Sequence, residues 1–340
     1  MNPAKIIDQA NKLFLYNLQT GQKKLMPVGL GIGFLENKIF REILMNRYVS
    51  KFVGFLANTS WISEIALQSD KIPRNLRENF KSSNLKTLNE AFTYRNPQQI
   101  FPLEADEIMS KFREKIMISP ADAYLNIREI KNGKIELYPE LALDLAKMIG
   151  AKNSAKFSTG GKFFLFTLKP HHDHTVDYPF NSKALSAPQE FSRKKWKIFS
   201  TDLNFAKKMA TEGSTIFDEN HRVVTELLAT DYNEPYFLLE IGATNVNSIE
   251  QDNCSVGKTY TKGSQKSHFN FGSTVIVLLP KNFVKKIKVL DVFLRDFNTS
   301  VEVKRRNVIA RPNSFVEDMS FHIANEIKFS LGNSQETIIR

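Results

Sequence analysis

At 340 residues the chain is long enough for one large domain or for two, with a sizeable core in either case. Hydrophobic residues at 42% and charged residues at 24% exclude a globally disordered chain. The formal net charge of +11 points to anionic partners, and a single cysteine, Cys254, excludes an internal disulfide and a multi-cysteine zinc site.

The opening Met-Asn-Pro-Ala-Lys-Ile-Ile-Asp lacks the apolar core of a secretory signal, and the lone cysteine fits a reducing compartment. No stretch approaches the roughly 18 uncharged apolar residues of a spanning helix. Residues 1 to 24 read as a polar, helix-like start around Leu13, Phe14 and Leu15. Met26 to Gly33 is a glycine-spaced link without a phosphate-loop pattern. From Phe34 to Leu56, Leu35, Ile39, Ile43, Tyr48 and Phe52 recur at helical spacing, with Lys38, Arg41, Arg47 and Lys51 in the gaps. That spacing predicts an amphipathic helix or helix pair, facing either the core or a bilayer surface. Short helical patterns continue from 60 to 93, and Pro73 breaks one of them. The first hundred residues hold 14 Lys/Arg against 7 Asp/Glu. No recognition helix, zinc finger or RNA-binding signature accompanies that charge, so a membrane surface is preferred over nucleic acid.

Arg95 to Pro102 reads as a loop, and the domain boundary falls there, with a helical, basic region 1–100 and a β-rich body 101–340. Beyond it, short apolar runs such as Lys162 to Leu168 and Tyr236 to Ile241 alternate with turns and read as strands. One helix is expected over Tyr138 to Ile149, closed by Gly150. In the tail, Ile287 to Phe293 is a strand candidate and Phe315 to Leu331 a terminal helix, while Lys304-Arg305-Arg306 reads as a solvated basic patch. The expected class is α+β, a helical N-terminal region on a β-rich catalytic body.

Phe269-Asn270-Phe271-Gly272-Ser273-Thr274 leads into Val275-Ile276-Val277-Leu278-Leu279-Pro280, an unbroken apolar run that predicts a buried strand. Read alone, the corner is a glycine turn into that strand. Gly272 leaves its carbonyl unshielded, and Ser273 places a hydroxyl just beyond it, the arrangement a serine needs to attack its own preceding peptide bond.

Four motifs share an order and spacing with a known family. They are Ser119-Pro120-Ala121-Asp122-Ala123, His171 to Pro179, Ile241 to Ile249, and Lys262-Gly263 followed by Phe269 to Thr274. Together they resemble the phosphatidylserine decarboxylases over roughly Asn89 to Leu279. The resemblance implies cleavage between Gly272 and Ser273, leaving a pyruvoyl group at residue 273 and two chains, 1–272 and 273–340, that stay together. The pyruvoyl carbonyl takes up a substrate amine and accepts electrons as CO2 leaves. Asp122 stands at the aspartate that orients a processing histidine, with Ala123 in place of the motif's glycine. His174 matches the histidine that acts on bound substrate, as proton donor. Asp177 occupies the place of the second histidine, usually the processing base. His172, two residues from His174 and on the same face if the segment is a strand, is a substitute base. Gly242 and Ala243 would line the pocket, and Phe269 and Phe271 would exclude water.

The implied substrate is an anionic phospholipid on a membrane surface, the implied location peripheral, on the cytoplasmic face, and homo-oligomers accord with the family. Three other readings remain at this point. One is a relative acting on a free aromatic amino acid. Another is a metal site of His172, His174 and Asp177. The third is a non-processing homologue marked by Asp177.

Overall fold

A computed structural model of the protein describes residues 14–17, 20–25, 52, 55–56, 58–68, 74–94, 115–138, 141–169, 171–191, 217, 220–242, 249–270, 273–296 and 299–313. Among the described residues of the first part lie the helices α1 (Ser60–Leu67), α2 (Arg74–Ser82) and α3 (Leu88–Thr93). The strands in chain order begin with β1 (Phe14–Tyr16), β2 (Lys23–Leu25), β3 (Met117–Ile118), β4 (Ala123–Lys131), β5 (Lys134–Tyr138) and β6 (Leu141–Asp144). There follow β7 (Gly161–Thr167), β8 (Thr175–Asp177), β9 (Ser182–Ala184), β10 (Gln189–Phe191), β11 (Arg222–Ala229), β12 (Glu234–Gly242) and β13 (Ile249–Gln251). The last are β14 (Thr259–Tyr260), β15 (Gln265–Phe269), β16 (Ser273–Pro280), β17 (Ile287–Val289), β18 (Thr299–Val303) and β19 (Val308–Pro312).

One large sheet runs in the order β14-β9-β11-β12-β16-β7-β4-β18-β1-β2, with β10 on β11 and the β5–β6 hairpin on β4. Its central strands are antiparallel, and β16 lies between β12 and β7. Both faces of β16 are covered, which is why its sequence is an unbroken apolar run rather than an alternation. Ile276 and Leu278 pack with Phe163, Leu165, Phe237 and Leu239 in one cluster. Val275, Val277 and Leu279 pack with Phe164, Phe166 and Leu238 in the other. That second cluster also holds Val176 and Phe269, so the small sheet β13-β15-β8 covers this face. Burying each such side chain contributes about 1.5–3 kcal/mol, so the large sheet is the most stable part of the described fold.

The body is therefore β-rich with few helices, as expected. Two local expectations fail. Phe14–Tyr16 is not helical but pairs parallel with β18 and antiparallel with β2. The helix foreseen from Tyr138 starts only at Leu145, because Leu141–Asp144 is a strand against β5 and Asp144 caps the helix by accepting from the Ala146 N–H. Gly150 does end it, at a φ of 85°. The Phe34–Leu56 stripe lies outside the described residues except at 52, 55 and 56, and the terminal helix of 315–331 lies wholly outside them.

Candidate active site

The site is built where the small sheet hands the chain to the large one. β15 ends at Phe269, whose N–H donates to the His174 carbonyl at 3.0 Å. β16 begins at Ser273, in register with Gly242 on β12. Three residues, 270–272, lie between these anchors, so four chain steps hold them within about 14 Å of each other. Asn270 is tied on both sides, accepting from Asn89 Nδ2 of α3 at 2.5 Å and donating to Glu250 Oε1 at 2.8 Å. Gly272, Phe271 and Ala243 lie outside the described residues. Phe269 is fully buried, as a water-excluding wall would be.

Helix α3 closes one side. Thr87 and Glu90 form a capping box that starts it, and Phe92 ends its apolar face. The Phe92 carbonyl accepts from the His174 N–H at 3.0 Å, and the two rings meet edge to face at 5.2 Å. Gly242 is held from behind: its N–H donates to the His221 carbonyl at 3.0 Å and its carbonyl accepts from Asn220 Nδ2 at 2.8 Å. His221 thus extends the Ser273–Gly242 register row by one strand, with no side chain at Gly242 between.

His172 and His174 precede β8 rather than sharing a strand face, and both are bound to Lys169. His172 Nδ1 accepts from the Lys169 N–H at 3.0 Å, and His174 Nε2 lies 3.2 Å from the Lys169 carbonyl. An amide N–H only donates and a carbonyl only accepts, so these bonds assign the tautomers. His174 carries its proton on Nε2, so Nδ1 is its accepting nitrogen. His172 carries its proton on Nε2, and its Nδ1 lone pair is already engaged. Burial pushes His174 down to about 4, and burial with the neighbouring His171 and Lys304 pushes His172 well below the ordinary range. Both are neutral at pH 7.

The aspartates face a different partner. Asp122 Oδ1 accepts from the Arg305 backbone N–H at 2.6 Å. Asp173 Oδ1 accepts from the Thr175 N–H at 2.9 Å, while its Oδ2 is 2.7 Å from Arg305 Nη1. That second contact is an ion pair by distance, although its approach is too bent for a hydrogen bond. Asp177 Oδ2 stands 3.8 Å from Arg305 Nε and 3.7 Å from Arg306 Nε. The position where a second histidine was expected is therefore a carboxylate held between two guanidinium groups. Arg305 is 2% exposed, which corrects the reading of Lys304-Arg305-Arg306 as a solvated patch. Nothing local in the sequence signals this, because its partners lie about 130 or more residues earlier in the chain.

His172, His174 and Asp177 do not come together as a metal set, since Asp177 faces the arginines. His171, His172 and Glu302 bring ligand-type atoms within 4.8 Å of one another. The Lys169 N–H on His172 Nδ1 leaves only a protonated Nε2 there, which cannot bind a cation. Beneath the corner, Lys266 and Glu240 form a fully buried ion pair at 2.8 Å, with Gln251 Oε1 2.6 Å from the ammonium and Ser267 donating to Glu240.

Residues 91–293, well over half of the chain, match the family model of phosphatidylserine decarboxylase. A phosphatidylserine decarboxylase proenzyme of Geobacillus kaustophilus is 25% identical over 253 residues, covering 74% of this chain and 86% of its own length. Proenzymes of the same name from Bacillus mycoides and from Geobacillus sp. strain WCH70 are 23% and 26% identical, over 75% and 73% of this chain and 88% and 90% of theirs. These matches define the enzyme class as a carboxy-lyase. The chain belongs to the phosphatidylserine decarboxylase family.

Proposed function

We propose that the chain is a self-processing, pyruvoyl-dependent decarboxylase that converts phosphatidylserine to phosphatidylethanolamine and CO2. The observation that carries this reading is the position of Ser273. It opens the central strand directly after a corner whose other end is bonded to His174.

Ser273 attacks the Gly272 carbonyl, and its proton passes to a base, since a serine hydroxyl is a poor nucleophile at neutral pH. His174 is that base, because the His172 Nδ1 lone pair already accepts from the Lys169 N–H, Asp177 is held by arginines, and His174 is the histidine bonded to the corner. The C–N bond gives way to an ester. Elimination releases the Gly272 carboxylate, and the resulting dehydroalanine takes up one water and loses ammonia. The residues present suit the pyruvoyl group so formed, which would head β16 beside side-chain-free Gly242. When present, it supplies a carbonyl that takes up the substrate amine and draws electrons from the breaking C–C bond. Phe92 and Phe269 exclude water; His174 hands the serine proton on to the freed nitrogen of residue 273 during scission, and in each turnover would carry a proton from solvent to the substrate carbon. Fragments 1–272 and 273–340 stay joined, since β16 is hydrogen-bonded on both sides by strands of the larger fragment.

Residues 1–100 are the membrane-contacting region and 101–340 the decarboxylase body, with Phe14–Tyr16 lending a strand to that body. Phe52, Phe55, Trp61 and Ile65 are each at least 60% exposed, which favours a lipid substrate over a free amino acid and a peripheral position on a membrane, and the cytoplasmic face is the face we propose. No described helix is long and apolar enough to cross a membrane. Intact-mass measurement tests the reading: two fragments, the shorter with a blocked start at residue 273, and CO2 release from phosphatidylserine vesicles are expected. An uncut wild-type chain after prolonged incubation with such vesicles would refute it.

A further inference from the structure

The turn between β18 and β19 lies beyond the span matched by the family model, yet it gathers three of the segments that build the site. Arg305 holds the first two. Its backbone N–H donates to Asp122, its Nη1 meets Asp173 Oδ2 at 2.7 Å and the Thr175 hydroxyl, and its Nε faces Asp177. Arg306, at a φ of 68°, holds the third. Its N–H donates to the Ser119 carbonyl at 3.0 Å and its Nη2 to the Gly263 carbonyl at 2.9 Å.

Three buried carboxylates, Asp122, Asp173 and Asp177, would repel one another and stay poorly solvated without a cation among them. Asp173 directly precedes His174 and Asp177 follows it by three residues, so Arg305 anchors the backbone that carries that imidazole. We infer that Arg305 is a positioning residue for scission at Gly272–Ser273, setting His174 against the corner through Asp173 and Asp177. The inference rests on the self-processing reading. It adds that the short fragment carries the guanidinium which orders the histidine of the long one.

A role in positioning differs from mere support in its pH signature. Asp173 is pushed up to about 6, chiefly by burial and further by Asp122, while Arg305 pulls it down. The charged and titratable groups around it are Arg305 and Arg306 on the turn, Asp122 ahead of β4, Asp177 on β8, and His172 and His174 on its own segment. The Arg305 contact needs the ionised carboxyl. Scission in the wild type should therefore fall as pH drops through about 6. Weakening the guanidinium raises the carboxyl further and moves that acid limb to higher pH.

The experiment follows scission of the full chain, made by cell-free translation, by intact mass between pH 5 and 9. Arg305→Met should be cut about 100-fold more slowly at pH 7, the cost of roughly a 1 Å misplacement, with its acid limb abolished because the contact that the limb reports is gone. Arg305→Lys, which keeps the charge but not the two-pronged geometry, should fall between and serves if the methionine variant fails to fold. Asp173→Asn, a neutral mimic of the protonated carboxyl, should cut slowly with that limb absent. Arg305 variants cut at the wild-type rate, or slowed equally at every pH with the limb unmoved, overturn the inference and leave self-processing standing. A wild-type chain that stays whole overturns both.

Discussion

Phe269 donates its backbone N–H to the carbonyl of His174, residues 95 apart in sequence, at 3.0 Å. The same histidine donates its own N–H to Phe92 of α3. One residue thus joins the N-terminal helices, the small sheet and the chain that runs on to Ser273.

Removal of the nucleophile is the first prediction. Ser273→Ala should give a single full-length chain by mass, while the wild type gives fragments 1–272 and 273–340. A carbonyl-trapping reagent should label the shorter wild-type fragment and extinguish activity together.

The two buried histidines should separate cleanly. His174→Ala should slow scission by about 10²–10⁴-fold, the usual range for a lost general base. His172→Ala should still be cut, because its only lone pair is bound to the Lys169 N–H. The reverse order of effects would assign the base to His172.

Acid should weaken the fold in a way that His174 partly accounts for. Its imidazole titrates near 4 when folded and near 6.5 when unfolded, so the unfolded chain binds the extra proton first. Its contribution is present above about 6.5 and is lost as pH falls toward 4, on the order of 3 kcal/mol in all. Asp173 acts oppositely, since its raised carboxyl gains stability as pH falls below about 6. His174→Gln should therefore show a smaller loss of stability between pH 6.5 and 4.5 than the wild type in denaturant titrations. An unchanged difference would contradict the assignment.

The Lys266–Glu240 pair should show strong coupling. Lys266→Met leaves a fully buried carboxylate unpaired and should cost about 3–5 kcal/mol. Adding Glu240→Leu should recover much of that loss. Additive losses in the double variant would mean that the pair is not the source.

Membrane contact should depend on the exposed apolar side chains near α1. Trp61→Ser with Ile65→Ser should weaken binding to anionic vesicles in a flotation assay. Neutralising Lys38, Arg41, Arg47 and Lys51 should weaken it further, by roughly 1 kcal/mol for each charge that sits near the surface, less at high salt. Binding unchanged by both sets would remove this region from the interface.

Much of the body was legible in the sequence because its signals are local. An unbroken apolar run closed by Pro280 marks a strand covered on both faces. Gly150 ended its helix, at a positive φ that glycine adopts without strain. The start of that helix was misread because Leu141–Asp144 carries apolar residues compatible with either period, and only pairing with β5 decides between them. Phe14–Tyr16 became a strand for the same reason, since its partner β18 lies nearly 300 residues away.

Residue types and their order therefore determined the fold class, the candidate nucleophile and the family. Tertiary structure alone decided the tautomers of the two histidines, because a tautomer follows from the bonds the ring makes, here to the Lys169 backbone. It also decided that Asp177 meets arginines rather than an imidazole. A buried charge takes whichever counter-charge the fold delivers, and Arg305 comes from a turn whose sequence reads as solvent-facing.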